Sequence, residues 1–149
     1  MHERLEGTAT MTHPSAIVLA GLIGWTLALV VLMELIRGYL VMSGAMPANR
    51  FTPDNGNLSP FMQRLARAHA NCLEGLPIFG GLILLALVTG QTAVTDPLAY
   101  VLLGARIVQS LAHLASGGIV SVYIRFGAFA VQLIVAALWC WDLTNLYFQ

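Results

Sequence analysis

The sequence has no lysine, and charged residues of any kind make up only 9% of its 149 residues. A soluble domain carries about 25% charged residues, so this composition argues against an ordinary soluble fold. The formal net charge is zero, which gives no support to a nucleic-acid partner. Hydrophobic residues, in contrast, make up 58% of the chain. The sequence therefore predicts an integral membrane protein.

Cysteine and histidine are too few and too scattered to build a disulfide framework or a metal centre. Cys72 and Cys140 are predicted near opposite ends of the membrane, so both are expected to be free thiols. The four histidines show no ligand spacing with these cysteines, and no metal site is predicted. The sequence also has no glycine-rich nucleotide-binding loop and no serine-nucleophile signature.

Four apolar stretches predict helices that cross the roughly 30 Å hydrocarbon core of a membrane. They are placed at residues 15–44, 60–90, 97–116 and 118–141, within a single domain of residues 1–144. Residues 145–149, NLYFQ, look like the remnant of a tag-removal protease site, and no functional role is expected for them. The predicted fold class is all-α, an integral membrane four-helix bundle.

Helix starts and turns are marked by capping residues, prolines and glycines. Ser59 and Pro60 predict the start of helix two, and Asp96 and Pro97 predict the start of helix three. The connection SGG, at residues 116–118, is so short that helices three and four must be antiparallel neighbours.

The placement of charge predicts how the bundle sits in the membrane. Arg50, Arg64 and Arg67 lie in or beside the connection between helices one and two, whereas the next connection carries only Asp96. By the positive-inside rule, the first loop is predicted to be cytoplasmic, in an inner or cytoplasmic membrane, with both termini on the other side. Arg4, in the N-terminal tail, works against this assignment.

Polar residues inside the helices recur at helical spacing, which places them on single faces. The segment RLARAHANCLEGLP of helix two carries one such stripe, and helices three and four carry one each. The three stripes are Arg64, Arg67, Asn71 and Glu74 in helix two, Arg106, Gln109 and His113 in helix three, and Ser121, Arg125 and Gln132 in helix four.

Both a structural and a functional interpretation of these stripes are open. Structurally, the helix-two stripe is a solvated helix end, and Arg106, deep in the membrane, is neutralised by Glu34 or Glu74. Glu34 is also predicted to pair with Arg37, three residues later. Functionally, the arginines clasp the carboxylates of a small zwitterionic ligand, and a glutamate binds its ammonium group.

Two segments resemble the MAPEG family, the membrane-associated proteins in eicosanoid and glutathione metabolism, in a bacterial-type form. RLARAHANCLEGLPIF resembles the helix-two signature of that family, and ARIVQSLAHL resembles its third helix. The resemblance covers most of the chain, from helix one to Gln132. It implies a homotrimer that binds glutathione between subunits near the cytoplasmic side, while lipophilic substrates arrive from the membrane lipid.

The resemblance also implies which residues bind glutathione. Arg67, Asn71 and Glu74 match family contacts in helix two, and Arg106 matches an arginine of helix three. The full set expected to bind glutathione is Arg64, Arg67, Asn71, Glu74, Arg106, Gln109 and His113.

A second group is expected to activate the thiol. Arg125 matches the helix-four arginine that holds glutathione as its thiolate, and Ser121 is a candidate hydrogen-bond donor on the same face. Two positions depart from the family pattern. Ala70 stands where prostaglandin E synthase has an arginine, and Phe129 stands where a tyrosine follows the helix-four arginine.

These observations lead to three hypotheses of function. The first is a glutathione-dependent transferase or peroxidase that acts on lipophilic electrophiles or hydroperoxides. The second is a relative that binds lipid without catalysis, which the loss of the tyrosine at Phe129 fits. The third is a small drug-exporting transporter with Glu34 as its embedded carboxylate, although such transporters do not need arginines deep in helices three and four.

Overall fold

The structure, a computed structural model, describes residues 13–147 as four long α-helices. These are α1 (Pro14–Met42), α2 (Pro60–Val88), α3 (Thr92–Ala115) and α4 (Ile119–Tyr147), with a short 3-10 helix at Ala48–Arg50. Each of the four is long and apolar enough to cross a membrane. The predicted all-α, four-helix membrane fold is confirmed. Arg4 and the last two residues of the NLYFQ segment lie outside the described residues.

The two ends of the bundle differ in their connections. At one end, called here the loop end, residues 43–59 join α1 to α2 and residues 116–118 join α3 to α4. At the other end, called here the terminal end, residues 89–91 join α2 to α3. The helices α1 and α4 both pack against the central pair, α2 and α3.

Two apolar clusters form the core. One lies toward the terminal end and includes Val18, Phe79, Leu102 and Trp139, which are at most 2% exposed. The other joins α1 to α2 toward the loop end, and includes Leu29, Met33, Met62, Leu65 and Cys72. Many large apolar side chains remain exposed on the outer faces of the helices. Such a surface suits contact with lipid, in agreement with an integral multi-pass membrane protein.

The loop end of α1 is organised by Arg37. Its Nη1 donates to the carboxylate of Glu34 at 2.9 Å, which confirms the predicted local ion pair. Its Nε donates to Oδ1 of Asn55 at 3.0 Å, and the Asn55 amide in turn donates to the carbonyl of Met62. Asn55 is fully buried in the left-handed region, at φ 55°. Glu34, the carboxylate of the transporter hypothesis, is therefore paired with an arginine of its own helix.

The predicted start of helix two is confirmed, whereas that of helix three is wrong. The hydroxyl of Ser59 accepts a hydrogen bond from the N–H of Met62. Helix α3, however, already begins at Thr92, and Pro97 lies inside it. Pro97 is the sixth residue of α3, past the first turn, so the carbonyl of Ala93 lacks its usual i→i−4 donor. Asp96, the residue before it, likewise lies inside the helix. The carboxylate of Asp96 therefore does not cap its own helix.

Asp96 instead caps α1 at the terminal end. Its Oδ1 accepts from the N–H of Ser15 at 2.9 Å and from the Ser15 hydroxyl at 2.5 Å. The same hydroxyl lies 2.6 Å from that of Thr95, and His13 Nδ1 lies 3.6 Å from the other carboxylate oxygen. Ser15 and Thr95 are fully buried, so this polar contact joins α1 to α3 within the bundle.

Replacement of Asp96 by Ala should destabilise the bundle by about 1–2 kcal/mol, because the α1 cap and its buried hydroxyl lose their acceptor. The measurement is the midpoint of thermal unfolding in detergent. Asp142→Ala is the control, since Asp142 is an exposed carboxylate near the same end. Equal midpoints for the two variants would contradict the assigned capping role.

Candidate functional site

A polar cleft of about 280 Å³ lies at the loop end, between α2, α3 and α4. The charged or titratable residues that line it are Arg64, Arg67, His113 and Arg125. The rest of the lining is formed by Pro60, Gln63 and Gly117. No carboxylate among the described residues lines it. Guanidinium groups close together repel one another, so the cleft is suited to an anionic ligand.

The start of α2 places two of these arginines at the cleft. The helix begins at Pro60, so Arg64 and Arg67 lie in its first turns, beside the end of α3. The Nε of Arg64 donates to the carbonyl of Leu114 at 3.0 Å. Carbonyls in the last turn of a helix lack partners within the helix, and an arginine is a suitable donor to them. Arg67 is exposed.

His113, on α3, lies between Arg125 of α4 and Asn71 of α2. Its Nδ1 lies 2.9 Å from Nη1 of Arg125 on α4, and its Nε2 lies 3.3 Å from Nδ2 of Asn71 on α2. The amide of Asn71 also donates to the carbonyl of Arg67 at 2.9 Å. The predicted stripes on α2, α3 and α4 thus meet at this point.

Five of the nine predicted site residues do not line the cleft: Asn71, Glu74, Arg106, Gln109 and Ser121. Glu74 is exposed on α2, midway along the helix, and does not line the cleft. Ser121 is buried, and its hydroxyl donates to the carbonyl of Ala112 on α3. A hydroxyl has one hydrogen to donate, so this contact leaves Ser121 without a donor for a thiol. This hydrogen bond connects α4 to α3.

Arg106 and Gln109 lie behind the cleft, in a buried polar layer. Arg106 is only 3% exposed, and its Nη1 donates to the carbonyl of Asn71 at 3.1 Å and to Oε1 of Gln109 at 3.0 Å. The same Gln109 oxygen accepts from Nε2 of Gln132 at 3.1 Å. The guanidinium also lies over the ring of Phe79, 5.2 Å from its centroid. This layer links α2, α3 and α4.

The structure does not support the interpretation in which an acidic residue neutralises Arg106. Among residues 13–147, Arg106 forms no ion pair, Glu34 is paired with Arg37, and Glu74 is exposed. The Nη2 of Arg106 is buried and has no hydrogen-bond partner within that range of the chain. A carbonyl, an amide oxygen and an aromatic face therefore stabilise the charge instead of a carboxylate.

Gly75 makes room for the Arg106 guanidinium. A Cβ at this position would overlap Nη2 of Arg106 and would lie 2.9 Å from Cε2 of Phe79. Gly75 and Phe79 were not among the site residues predicted from the sequence. The available signal was a glycine inside a helix, which often marks a close approach of another group.

The remaining nucleophilic and metal-binding side chains do not form a second site in the described part of the chain. Cys72 is a buried free thiol, 3.4 Å from the hydroxyl of Ser110, and Cys140 is an exposed free thiol. No three histidine, cysteine or acidic side chains within residues 13–147 are grouped so that they could hold a metal ion.

A family model described as the MAPEG family matches residues 15–144 of the chain. The match includes all four helices up to the last turn of α4, and with them the cleft and the buried polar layer. No curated protein and no solved structure matches the chain.

Replacement of Gly75 by Ala should displace the Arg106 guanidinium and destabilise the bundle by about 1–3 kcal/mol, the usual cost of overpacking. Gly81→Ala is the matched control, because a Cβ at Gly81 on the same helix meets no atom of the described residues within 4 Å. Both variants are compared by thermal unfolding in detergent. A Gly75→Ala protein as stable as the Gly81→Ala protein would show that Arg106 does not need this space.

Proposed function

Because the chain belongs to the MAPEG family, we propose that it is a glutathione-dependent membrane transferase or peroxidase acting on lipophilic electrophiles or hydroperoxides. The observation that carries the proposal is the cleft, where three guanidinium groups converge without a lining carboxylate among the described residues. Such a cleft suits an anion with more than one acidic group. Glutathione has two carboxylates and a thiol that can ionise.

The arginines of α2 suit the carboxylates of glutathione. Arg64 and Arg67 lie one turn apart at the cleft, and a guanidinium can donate two parallel hydrogen bonds to one carboxylate. Asn71 offers an amide beside His113, and Glu74 supplies the acidic group for the ammonium of the ligand. In this proposal Arg106 and Gln109 do not touch the ligand. They hold the Asn71 backbone and α4 in place from behind.

Arg125 is the proposed thiol-activating residue. A cysteinyl thiol with a pKa near 8.5 is mostly protonated at neutral pH, and a nearby guanidinium favours the thiolate. The thiol first loses its proton to solvent. The thiolate then forms a C–S bond to an electrophilic carbon, with a π bond broken or a leaving group expelled, or it attacks a peroxide oxygen. In the peroxide case the O–O bond breaks, the alkoxide takes up a proton, and a second glutathione converts the resulting sulfenic acid to glutathione disulfide and water. Proximity between the two bound substrates supplies much of the rate.

A neighbouring copy of the chain is proposed to complete the site in a homotrimer. Glu74 lies midway along a membrane-crossing helix and is exposed in the isolated chain. A charged side chain that faces lipid at such depth costs a few kcal/mol, and such residues almost always face protein or water. We also propose that the loop end faces the cytoplasm, since Arg50, Arg64 and Arg67 lie there.

The first test is calorimetric titration of glutathione into the detergent-solubilised protein. Replacement of Arg67 or Glu74 by Ala should weaken binding about tenfold, equivalent to about 1.4 kcal/mol, because each removes one charge contact. Arg50→Ala is the control, since Arg50 lies in the first loop and does not line the cleft. No heat in the parent protein, confirmed by a second method, would overturn the proposal.

The second test concerns Arg125. Its replacement by Leu should lower the rate of conjugation by about 100-fold or more, with glutathione affinity changed much less, because the lost interaction stabilises developing charge. The ultraviolet absorbance of the bound thiolate should disappear together with the activity. Tyr123→Phe, on the exposed side of α4, is the control. An unchanged rate in Arg125→Leu would remove this residue from the mechanism.

A non-catalytic lipid-binding protein is the second candidate function, and one structural observation favours it. An apolar groove of about 500 Å³ lies between α2 and α4, bordered by residues such as Pro77, Gly81, Leu133 and Ala137. Phe129, where the family tyrosine is missing, lies one turn before this groove on α4. Lipid binding without measurable affinity for glutathione would favour this function over catalysis.

A further inference from the structure

The two contacts of His113 cannot both be hydrogen bonds. Its Nδ1 faces Nη1 of Arg125 at 2.9 Å, and its Nε2 faces the amide nitrogen of Asn71 at 3.3 Å. Both neighbours are donors, whereas a neutral imidazole accepts at one nitrogen only. A protonated imidazole accepts at neither.

The Arg125 contact is the one that the chemistry favours. It is the shorter of the two, and its donor is a cation, which makes the stronger hydrogen bond. A guanidinium has no acceptor atom, so Nδ1 must provide the lone pair. The Asn71 amide already donates to the carbonyl of Arg67. His113 is therefore neutral, with its hydrogen on Nε2.

Arg125 depends on this contact for its position. It lies half-buried in a cleft with Arg64 and Arg67, which repel it, and His113 is its one hydrogen-bond partner among the described residues. Without an acceptor at Nδ1, a flexible arginine side chain would turn away from the other two cations toward water.

The backbone of α4, by contrast, is held independently of His113. The hydroxyl of Ser121 donates to the carbonyl of Ala112, and Gln132 donates to Gln109, one contact on each side of Arg125 along the helix. A change at His113 should therefore release the Arg125 side chain and leave the packing of α4 against α3 intact.

We propose that His113 is a positioning residue that aims Arg125 at the glutathione thiol through Nδ1, rather than a residue that itself contacts the ligand. The inference rests on the proposed function. His113 then acts in the chemical step and not in the affinity for glutathione. The role belongs to Nδ1, because only an acceptor at the place of this atom can bind the Arg125 guanidinium.

Two amide substitutions separate the two ring nitrogens. In His113→Asn the side-chain oxygen can occupy the place of Nδ1, whereas in His113→Gln the amide reaches the place of Nε2. We expect His113→Asn to keep kcat within about threefold, and His113→Gln and His113→Leu to lower it at least about tenfold, with similar KM for glutathione. The thiolate absorbance should follow kcat. The opposite order, with Gln active and Asn weakened in KM, would overturn the inference and make His113 a ligand contact.

Nitrogen-15 NMR of histidine-labelled protein in detergent provides a test that needs no ligand. The His113 resonances, assigned by their loss in His113→Asn, should show an unprotonated Nδ1 that accepts a hydrogen bond and a protonated Nε2. The hydrogen-bond shift should vanish in Arg125→Leu. A protonated Nδ1 at neutral pH would overturn the inference whether or not glutathione binds.

Failure of the inference can be told apart from failure of the proposed function. Absence of glutathione binding in the parent protein overturns the function and the thiol role of His113 together, and the NMR spectrum still decides the contact with Arg125. If glutathione binds and Arg125→Leu loses the thiolate absorbance while His113→Leu keeps it, only the inference on His113 is wrong.

Discussion

Burial of the Arg106 guanidinium is the constraint on which the arrangement of three helices depends. A charge deep within a membrane-crossing helix costs a few kcal/mol unless other groups stabilise it, and no carboxylate among residues 13–147 does so. The guanidinium donates to the backbone carbonyl of Asn71 on α2 and to the side-chain oxygen of Gln109 on α3. Gln132 of α4 donates to the same Gln109 oxygen. A helix rotated away from this arrangement would leave the charge uncompensated.

The buried layer and the cleft divide the polar residues into two kinds. In the layer, Arg106, Gln109 and Gln132 hydrogen-bond to one another and to the backbone of α2, and these contacts between helices fix their arrangement. In the cleft, Arg67 is exposed and Arg125 has a single hydrogen-bond partner in the described part of the chain, so cationic donors remain for an external anion. The buried layer makes the cleft possible, because the cations of the cleft repel one another and stay close together only on helices that cannot move apart.

Helical periodicity predicted the four helices and the faces that carry the polar residues, since both depend on spacing along one segment. It could not predict depth or partners, because these depend on a second helix. Arg106 and Arg125 look alike in sequence, yet one is buried behind the cleft and the other lines it. The same limit explains Asp96, whose place before a proline is typical of a cap for its own helix, whereas its partner is Ser15 of α1.

The two thiols differ in access, and this makes the chain suitable for site-specific labelling. Cys72 is enclosed in the core between α1 and α2, whereas Cys140 is exposed beside the apolar groove between α2 and α4. A small lipid-soluble thiol reagent would reach Cys140 far more readily than Cys72. A fluorophore or spin label attached there would report whether the groove holds an acyl chain, without any engineered cysteine.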